Sequence, residues 1–281
     1  MHSRVGGSGA PVVLLHGYGV SSEYLVPLAE ELVGRCRVYL PDLPGHGRSV
    51  EPTDPPTIAG HAAALAAWLR AVELERPAFV ANSMGCQVVT ELAVQHPDCV
   101  GPMLLCGPTV DPRRRSARRQ AFGALRDSIH EPVRLSGIAA RDGIGWNYGH
   151  LRSAARSVLA DRMEDRLPSI SQRAIVLHGE RDGFVSRAWA EEVARLLPSG
   201  RLVVVPDEPH AVPFTRPALV ADIVCELIVE EVDHAPRELV GRFPHGDVPA
   251  RELDEGGVRQ EPGPLVGDAR RQQSVAFAPD Q

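Results

Sequence analysis

The stretch "FVANSMGCQVVTELAV" (residues 79–94) joins a strand-like run to a helix-like one. Its first residues are a short apolar run typical of a buried strand, and the later apolar residues recur at helical spacing. Ser83 lies between the two, with the small residues Ala81 and Gly85 on either side. A serine at such a turn either caps the helix or acts as a nucleophile, and the stretch alone leaves both interpretations open.

The surrounding sequence alternates between strand-like and helix-like segments. Continuous apolar runs at residues 11–17, 36–42, 77–82 and 101–107 alternate with helix-like segments, and the alternation returns with runs at 174–180 and 201–207. This pattern predicts an α/β core over residues 1–107 and 173–232, with a mostly parallel sheet and helices on both faces. Residues 108–172 show helical patterns and no strand pattern, so we expect a helical cap inserted at the carboxyl end of a strand. Residues 233–281 are rich in proline, glycine and mixed charges, which predicts a disordered tail.

Composition argues against several classes of function. The net charge of −6 over 281 residues argues against nucleic acid as a partner, because phosphate binding requires a basic face. No run of about 20 apolar residues is present, so no membrane span is predicted. Five cysteines without a CxxC pair favour buried thiols, and with no signal-peptide pattern they predict a cytoplasmic protein. All 30 basic residues are arginine, which excludes a lysine nucleophile.

Two further polar residues follow strand-like runs after the insertion. Asp182 lies in "HGERDGFVS" (178–186), and His210 lies in "PDEPHAVPF" (206–214). Because the carboxyl ends of parallel strands meet at one edge of a sheet, we expect both residues to approach Ser83. Serine, aspartate and histidine in this chain order predict a triad in which Ser83 is the nucleophile, His210 the base and Asp182 the group that orients the base.

Five short motifs carry a resemblance to a known family: "HGYG" (16–19), "DLPGHGRS" (42–49), "NSMGC" (82–86), "GERD" (179–182) and "PH" (209–210). On these motifs the chain resembles the α/β-hydrolase superfamily over about residues 5–231. The resemblance implies an eight-stranded sheet, a helical cap, a small-molecule substrate and no cofactor. It also implies an oxyanion hole formed by the backbone N–H groups of Tyr18 and Met84. Ala81 and Pro209 stand where this family usually has glycine.

Other polar residues have structural interpretations. Asp42 is expected to organise the "DLPGHGRS" loop, and backbone hydrogen bonds are expected for His16, His46 and His178 at turns. No HExxH or similar spacing is present, so no metal site is predicted. The insertion is rich in arginine. The first interpretation is that these arginines form a solvated face. The more specific interpretation is that one or two of them bind a substrate carboxylate.

Three functions are open at this point. The leading hypothesis is hydrolysis of a carboxylic ester or thioester of a small organic substrate through an acyl-enzyme. The second is hydrolysis of a carbon–carbon bond in a vinylogous diketo acid, because "NSMG" resembles meta-cleavage-product hydrolases, whose matching asparagine touches substrate. The third is a non-catalytic homologue that binds a ligand. Asn82 and Trp146 are the predicted substrate contacts, and the sequence leaves the oligomeric state open.

Overall fold

A computed structural model of the chain describes residues 1–128, 131–142 and 148–234. The predicted substrate contact Trp146 and the part of the predicted tail from residue 235 onward lie outside these residues. Strands in the described part of the chain are β1 (Ser3–Gly6), β2 (Pro11–Leu15), β3 (Arg37–Pro41), β4 (Ala78–Asn82), β5 (Met103–Cys106), β6 (Ala174–Gly179) and β7 (Gly200–Val205). The six runs predicted as strands correspond to β2 to β7, with β7 beginning one residue before its run, whereas the pattern does not predict β1.

Helices cover most of the remaining described residues. The α-helices are α1 (Val26–Leu32), α2 (Ile58–Ala71), α3 (Met84–Gln95), α4 (Ala117–Ser128), α5 (Val133–Asp142), α6 (Tyr148–Ala160), α7 (Met163–Arg166), α8 (Arg187–Leu196), α9 (Val212–Thr215) and α10 (Pro217–His234). Short 3₁₀ turns occupy Ser22–Leu25, Pro97–Cys99, Pro112–Arg114 and Leu167–Ser169. In the parts described, no helix is both long and apolar enough to cross a bilayer.

The strands form one sheet in the order β1-β3-β2-β4-β5-β6-β7. Strand β1 runs antiparallel to β3, with Val5 opposite Tyr39, and the other neighbouring pairs are parallel. The resemblance implies eight strands, whereas the described residues contain seven, because the antiparallel edge consists of one strand rather than a hairpin. The parallel order brings the carboxyl ends of β4, β5, β6 and β7 to the same edge, where the predicted site residues follow them.

Alternate residues of each strand face opposite sides of the sheet and supply two separate cores. Phe79 and Leu105 are buried on one side, together with residues of α2, α3 and α8. Val80 and Leu104 are buried on the other side, together with residues of α1 and α10. Burying each such side chain contributes about 1.5–3 kcal/mol, so the paired cores hold the sheet edge that carries the site.

The chain between β5 and β6 is helical in its described parts, which include α4 to α7. Arg166 of α7 donates to the Gln87 carbonyl of α3 at 2.9 Å, and the Tyr18 hydroxyl donates to the Leu151 carbonyl of α6 at 2.9 Å. These contacts fasten the insertion to residues that follow β2 and β4, the position expected of a cap. The division of the chain into core, cap and tail stays a prediction.

Candidate active site

Ser83 occupies a sharp turn between β4 and α3. Its backbone has φ 54° and ψ −119°, a strained conformation for a residue that carries a Cβ. The Ser83 N–H donates to the Cys106 carbonyl at 2.9 Å, which ties the turn to β5. Gly85 lets α3 approach the end of β2, since a Cβ there would lie 2.8 Å from the carbonyl oxygens of Leu15 and His16. The turn leaves the Ser83 side chain half-buried, so that it is accessible from the sheet edge.

The Ser83 hydroxyl lies 3.5 Å from the hydroxyl of Thr109. Thr109 follows β5 and is 4% exposed, so it forms a polar wall of the site. Sequence reasoning does not identify Thr109, because a single threonine after a strand belongs to no motif. The Thr109 hydroxyl can donate a hydrogen bond to Ser83 or to a bound ligand, and it can also accept one from either.

Asp182 and His210 meet, as expected from their positions after β6 and β7. His210 Nδ1 lies 2.7 Å from Asp182 Oδ2. The other oxygen, Oδ1, accepts the N–H groups of Phe184 and Val185, each at 2.8 Å, which fixes the plane of the carboxylate. Since a carboxylate accepts hydrogen bonds, we assign the imidazole proton to Nδ1, which leaves the lone pair on Nε2.

His210 Nε2 is buried and has no hydrogen-bond partner within the described ranges. The predicted hydrogen bond between Ser83 and His210 is therefore not made in this structure, where the Ser83 hydroxyl contacts Thr109 instead. Catalytic hydrogen bonds are often long before substrate binds. The imidazole still lies next to the Ser83 turn. The Ser83 N–H donates to the Cys106 carbonyl, and a Cβ at the following residue, Gly107, would lie 2.7 Å from the His210 ring.

The charges around His210 favour its protonated form. Burial lowers the pKa of His210, but the carboxylates of Asp182, Asp127 and Glu131 outweigh burial and raise that pKa to about 9. Asp182 belongs to the core loop after β6, whereas the other two acids belong to the insertion. An imidazole whose cation is stabilised in this way is suited to accept a proton from a hydroxyl group.

Asp127 is an acid that the sequence patterns do not single out. Its Oδ1 accepts the Gly183 N–H at 2.8 Å, and the residue is 1% exposed. One ligand atom each of Asp127, Asp182 and His210 lies within 4.8 Å of the other two, a spacing that a metal ion could use. The 2.7 Å contact between Asp182 and His210 is a hydrogen bond, however, which favours proton handling. The expectation of no metal site stays a prediction.

The predicted oxyanion hole consists of the N–H groups of Tyr18, which follows Gly17 in sequence, and of Met84, which follows Ser83. Gly17 approaches so closely that a Cβ there would lie 3.0 Å from the Ser83 Cβ, which brings Tyr18, its neighbour in sequence, to the same place. Met84 is the first residue of α3, where backbone N–H groups have no acceptor within the helix. The arrangement is compatible with two donors beside Ser83, and their role stays a prediction.

The loop that carries Gly17 is fixed by His16. The Leu43 N–H donates to His16 Nε2 at 3.0 Å, so the ring proton lies on Nδ1, which is 2.8 Å from the Gly17 carbonyl oxygen. Acceptance of the Leu43 N–H at Nε2 requires the neutral ring, which burial favours by lowering the pKa of His16. The Asp42 carboxylate accepts the Ser22 N–H at 2.8 Å and the Arg48 N–H at 3.0 Å, and these bonds hold its loop in place.

The Asn82 side chain is buried beneath the Ser83 turn. Its Nδ2 donates to the Cys106 carbonyl at 3.2 Å and to the His210 carbonyl at 3.5 Å. These bonds tie the ends of β4 and β5 to the loop that carries the base. The structure gives Asn82 a positioning role, and its predicted contact with substrate stays a prediction.

Two other histidines behave differently from each other. His46 Nδ1 lies 3.2 Å from the Pro44 carbonyl oxygen, which confirms the expected backbone bond. His178 Nδ1 is buried without a partner among the described residues, so the expected bond is not made at that nitrogen. Burial of His178 lowers its pKa, which favours the neutral ring.

Arginines of the insertion form ion pairs, and two of them are largely shielded from solvent. Arg115 lies 2.6 Å from Glu164 of the insertion. Arg166 lies 2.8 Å from Asp161 of the insertion and 3.4 Å from Glu91 of α3. Their side chains are 20% and 12% exposed. These two arginines therefore form neither a solvated face nor a guanidinium group that is free for a substrate carboxylate.

The fold and the site agree with comparisons to known proteins. The chain matches the model of the Alpha/beta hydrolase family over residues 12–223. The chain therefore belongs to the alpha/beta hydrolase family, which confirms the predicted fold class. It is 37% identical over 234 residues to the pimeloyl-[acyl-carrier protein] methyl ester esterase of Chromobacterium violaceum, a match that covers 74% of this chain and 89% of that protein.

Solved structures show the same architecture. A thermophilic esterase from Thermogutta terrifontis superposes with a TM-score of 0.71 at 22% identity, covering 82% of this chain and 93% of the esterase. An N-acyl homoserine lactone degrading enzyme superposes with a TM-score of 0.70 at 25% identity, covering 80% of this chain and 95% of that one. Together with the curated relative, the comparisons support hydrolase activity on esters.

Proposed function

We propose that this protein is a serine hydrolase that cleaves small carboxylic esters through an acyl-enzyme intermediate. The proposal is carried by the buried Asp182–His210 pair, whose Nε2 has no partner in the described part of the chain, beside the strained turn that presents Ser83. Backbone strain and an unpaired buried nitrogen both destabilise a fold, and they concentrate where a site uses them.

In the acylation step the Ser83 Oγ attacks the carbonyl carbon of the ester while His210 Nε2 takes the hydroxyl proton. The carbonyl oxygen becomes an oxyanion, which the N–H groups of Tyr18 and Met84 would stabilise. The carbon–oxygen bond to the alcohol then breaks, and His210 returns the proton to the leaving alkoxide. The acyl group remains on Ser83.

In the deacylation step a water molecule replaces the alcohol. His210 Nε2 takes a proton from this water as its oxygen attacks the acyl carbon, and the proton then passes to Ser83 Oγ when the acyl bond breaks. Asp182 stays hydrogen-bonded to Nδ1 throughout, which holds the imidazole in the tautomer and orientation that both steps require. The products are a carboxylic acid and an alcohol.

The ester class is favoured over carbon–carbon cleavage. The relative from Chromobacterium violaceum is named as a methyl ester esterase, and it covers most of this chain. The hint of carbon–carbon cleavage came from Asn82, whose amide hydrogens are directed at backbone carbonyls of Cys106 and His210. We therefore assign the site to carboxylic esters.

A fluorophosphonate probe tests the nucleophile. We expect the wild-type protein to be labelled and Ser83→Ala to be unlabelled, while Ser199→Ala, which removes an exposed serine, is labelled like wild type. On p-nitrophenyl acetate and dimethyl pimelate, Ser83→Ala should lose several orders of magnitude in kcat, leaving only binding and oxyanion contributions. A folded wild-type protein that is neither labelled nor active would refute the proposal.

A further inference from the structure

The loop that carries Asp182 is held by side chains of the insertion. Asp127 Oδ1 accepts the Gly183 N–H at 2.8 Å, and Arg114 Nη1 donates to the Gly183 carbonyl at 3.2 Å. Both backbone polar groups of Gly183, its N–H and its carbonyl, are thus bound by the chain between β5 and β6. Since Gly183 directly follows Asp182, these bonds also fix the position of the carboxylate that orients His210.

Close backbone packing brings Asp127 to this place. A Cβ at Gly123 would lie 2.8 Å from the Gly183 carbonyl oxygen, and a Cβ at Gly183 would lie 2.7 Å from the Gly123 carbonyl oxygen. The two glycines therefore let α4 touch the loop after β6. Asp127 lies four residues beyond Gly123, on the same face of α4, so it faces the same loop.

The Asp127 carboxylate also faces the backbone N–H of His210, but only one of its oxygens has a partner at full hydrogen-bond geometry within the described residues. Its Oδ1 bonds Gly183, whereas its Oδ2 is buried without a partner there. One oxygen of this carboxylate lies within 4.8 Å of ligand atoms of both Asp182 and His210. A buried, half-satisfied carboxylate destabilises the fold unless a positive charge forms close to it. The imidazolium of His210 is such a charge, and the acylation step creates it.

We propose that Asp127 is a positioning residue of the insertion that stabilises His210 in its protonated state while Ser83 is deprotonated. The inference rests on the proposed function and deepens it, because it makes the strength of the base depend on a segment outside the core. Asp127 touches neither substrate nor Ser83 in this scheme. It acts through His210, and through Gly183 on Asp182.

The charged groups that face His210 come from three elements. Asp182 faces it from the loop after β6, Asp127 and Glu131 from the insertion, and His178 from β6 itself. Burial lowers the pKa of His178, which keeps that ring neutral, and burial raises the pKa of Asp127 and of Glu131. The carboxylates together outweigh the burial of His210, which by itself lowers its pKa.

The test is the pH profile of kcat/KM for Asp127→Asn on a p-nitrophenyl ester. The amide keeps an oxygen for the Gly183 N–H but removes the charge. With the His210 cation less stabilised, the acid limb of the profile of kcat/KM against pH should move to lower pH. The plateau of kcat should fall about tenfold, because the imidazolium is less stabilised in the transition state. Asp111→Asn is the matched control: Asp111 Oδ2 holds the same loop by accepting the Ser186 hydroxyl at 2.5 Å. It should lower kcat without moving the limb.

A second readout does not require turnover. The imidazole of His210, assigned by its absence in His210→Gln, is titrated by NMR in wild type, Asp127→Asn and Asp111→Asn. The pH at the midpoint of the His210 titration should be lower in Asp127→Asn than in wild type and should be unchanged in Asp111→Asn. If the wild-type enzyme hydrolyses no ester, the proposed function fails, while a lowered midpoint still supports the role of Asp127. If the midpoint and the acid limb of Asp127→Asn coincide with those of wild type, the inference is overturned.

Asp127→Ser covers the case in which Asp127→Asn does not fold. Serine removes the charge, is smaller than asparagine, and still offers a hydroxyl oxygen that can accept a hydrogen bond. The titration midpoint of His210 should again move to lower pH. An unchanged midpoint in folded Asp127→Ser would equally overturn the proposal.

Discussion

The turn that carries Ser83 and the loop that carries Asp182 follow β4 and β6, on either side of β5, and different parts of the chain hold them. The core backbone holds the first: Ser83 donates to the Cys106 carbonyl, and Gly85 packs against the end of β2. The core backbone also bonds the second, since the Arg181 N–H donates to the Glu208 carbonyl, but side chains of the insertion add the bonds that Asp127 and Arg114 make to Gly183.

This difference separates two properties that a catalytic triad must combine. The geometry of the nucleophile forms with the sheet itself, whereas the position and charge of the base depend on how the insertion packs on the core. Changes on the core side should therefore cost folding stability, and changes on the insertion side should cost activity first. Substitutions on each side, and titration of the base, separate these two effects.

Replacing Asp182 with asparagine should give the largest loss. The amide retains an acceptor for the N–H groups of Phe184 and Val185 and then presents an N–H donor to His210 Nδ1, which favours the wrong tautomer. We expect kcat to fall about 10³- to 10⁴-fold with little change in KM. Steady-state kinetics on p-nitrophenyl acetate measure this, with Asp207→Asn in the exposed neighbouring loop as the control. A loss below about tenfold would argue against the assignment of Asp182.

The pH dependence should follow from the pKa of His210, which is raised to about 9. The base must be neutral to accept the proton of Ser83, so kcat/KM should rise about tenfold per pH unit up to that value and then level off. Rates measured between about pH 6 and 10, with an ester whose own hydrolysis is subtracted, test this. An acid limb centred near the ordinary value of 6.5 would show that the surrounding carboxylates do not act on His210.

Folding stability should change in the opposite direction over the same window. Because the pKa of His210 is higher in the folded chain than the ordinary value of 6.5, its protonation stabilises the fold. That contribution is fully present below pH 6.5 and is lost as pH rises to about 9. Urea unfolding at the two ends of this range should show a smaller loss of stability in His210→Gln than in wild type.

Gly85→Ala tests the core side of the comparison. The new Cβ would lie 2.8 Å from two carbonyl oxygens at the end of β2, so α3 must shift. We expect a loss of roughly 1–3 kcal/mol in the free energy of unfolding, because overpacking displaces backbone. Gly34→Ala is the control, since a Cβ at Gly34 meets no atom within 4 Å. Equal stability of the two variants would contradict the close packing inferred at Gly85.

The difference between contacts within the core and contacts between distant segments also explains which residues of the site the sequence predicts. Ser83, Asp182 and His210 each follow an apolar run and stand in a known order, so local patterns find the residues and the parallel sheet. Thr109 and Asp127 are different, because their contacts depend on packing between distant segments. Asp127 binds a residue 56 positions away, through an approach of two glycines that no local pattern encodes.

Arg114→Ala should give the smallest effect, and it tests the insertion side without touching a charge on His210. Arg114 Nη1 donates to the Gly183 carbonyl at 3.2 Å, and its side chain is 37% exposed, so water can replace the lost bond. We expect a loss of about two- to fivefold in kcat with no measurable change in thermal stability, the reverse of Gly85→Ala. Arg118→Ala, which removes an exposed arginine of α4, should leave both unchanged. If Arg114→Ala lowered stability as much as Gly85→Ala does, the loop of Asp182 would belong to the core as fully as the turn of Ser83 does.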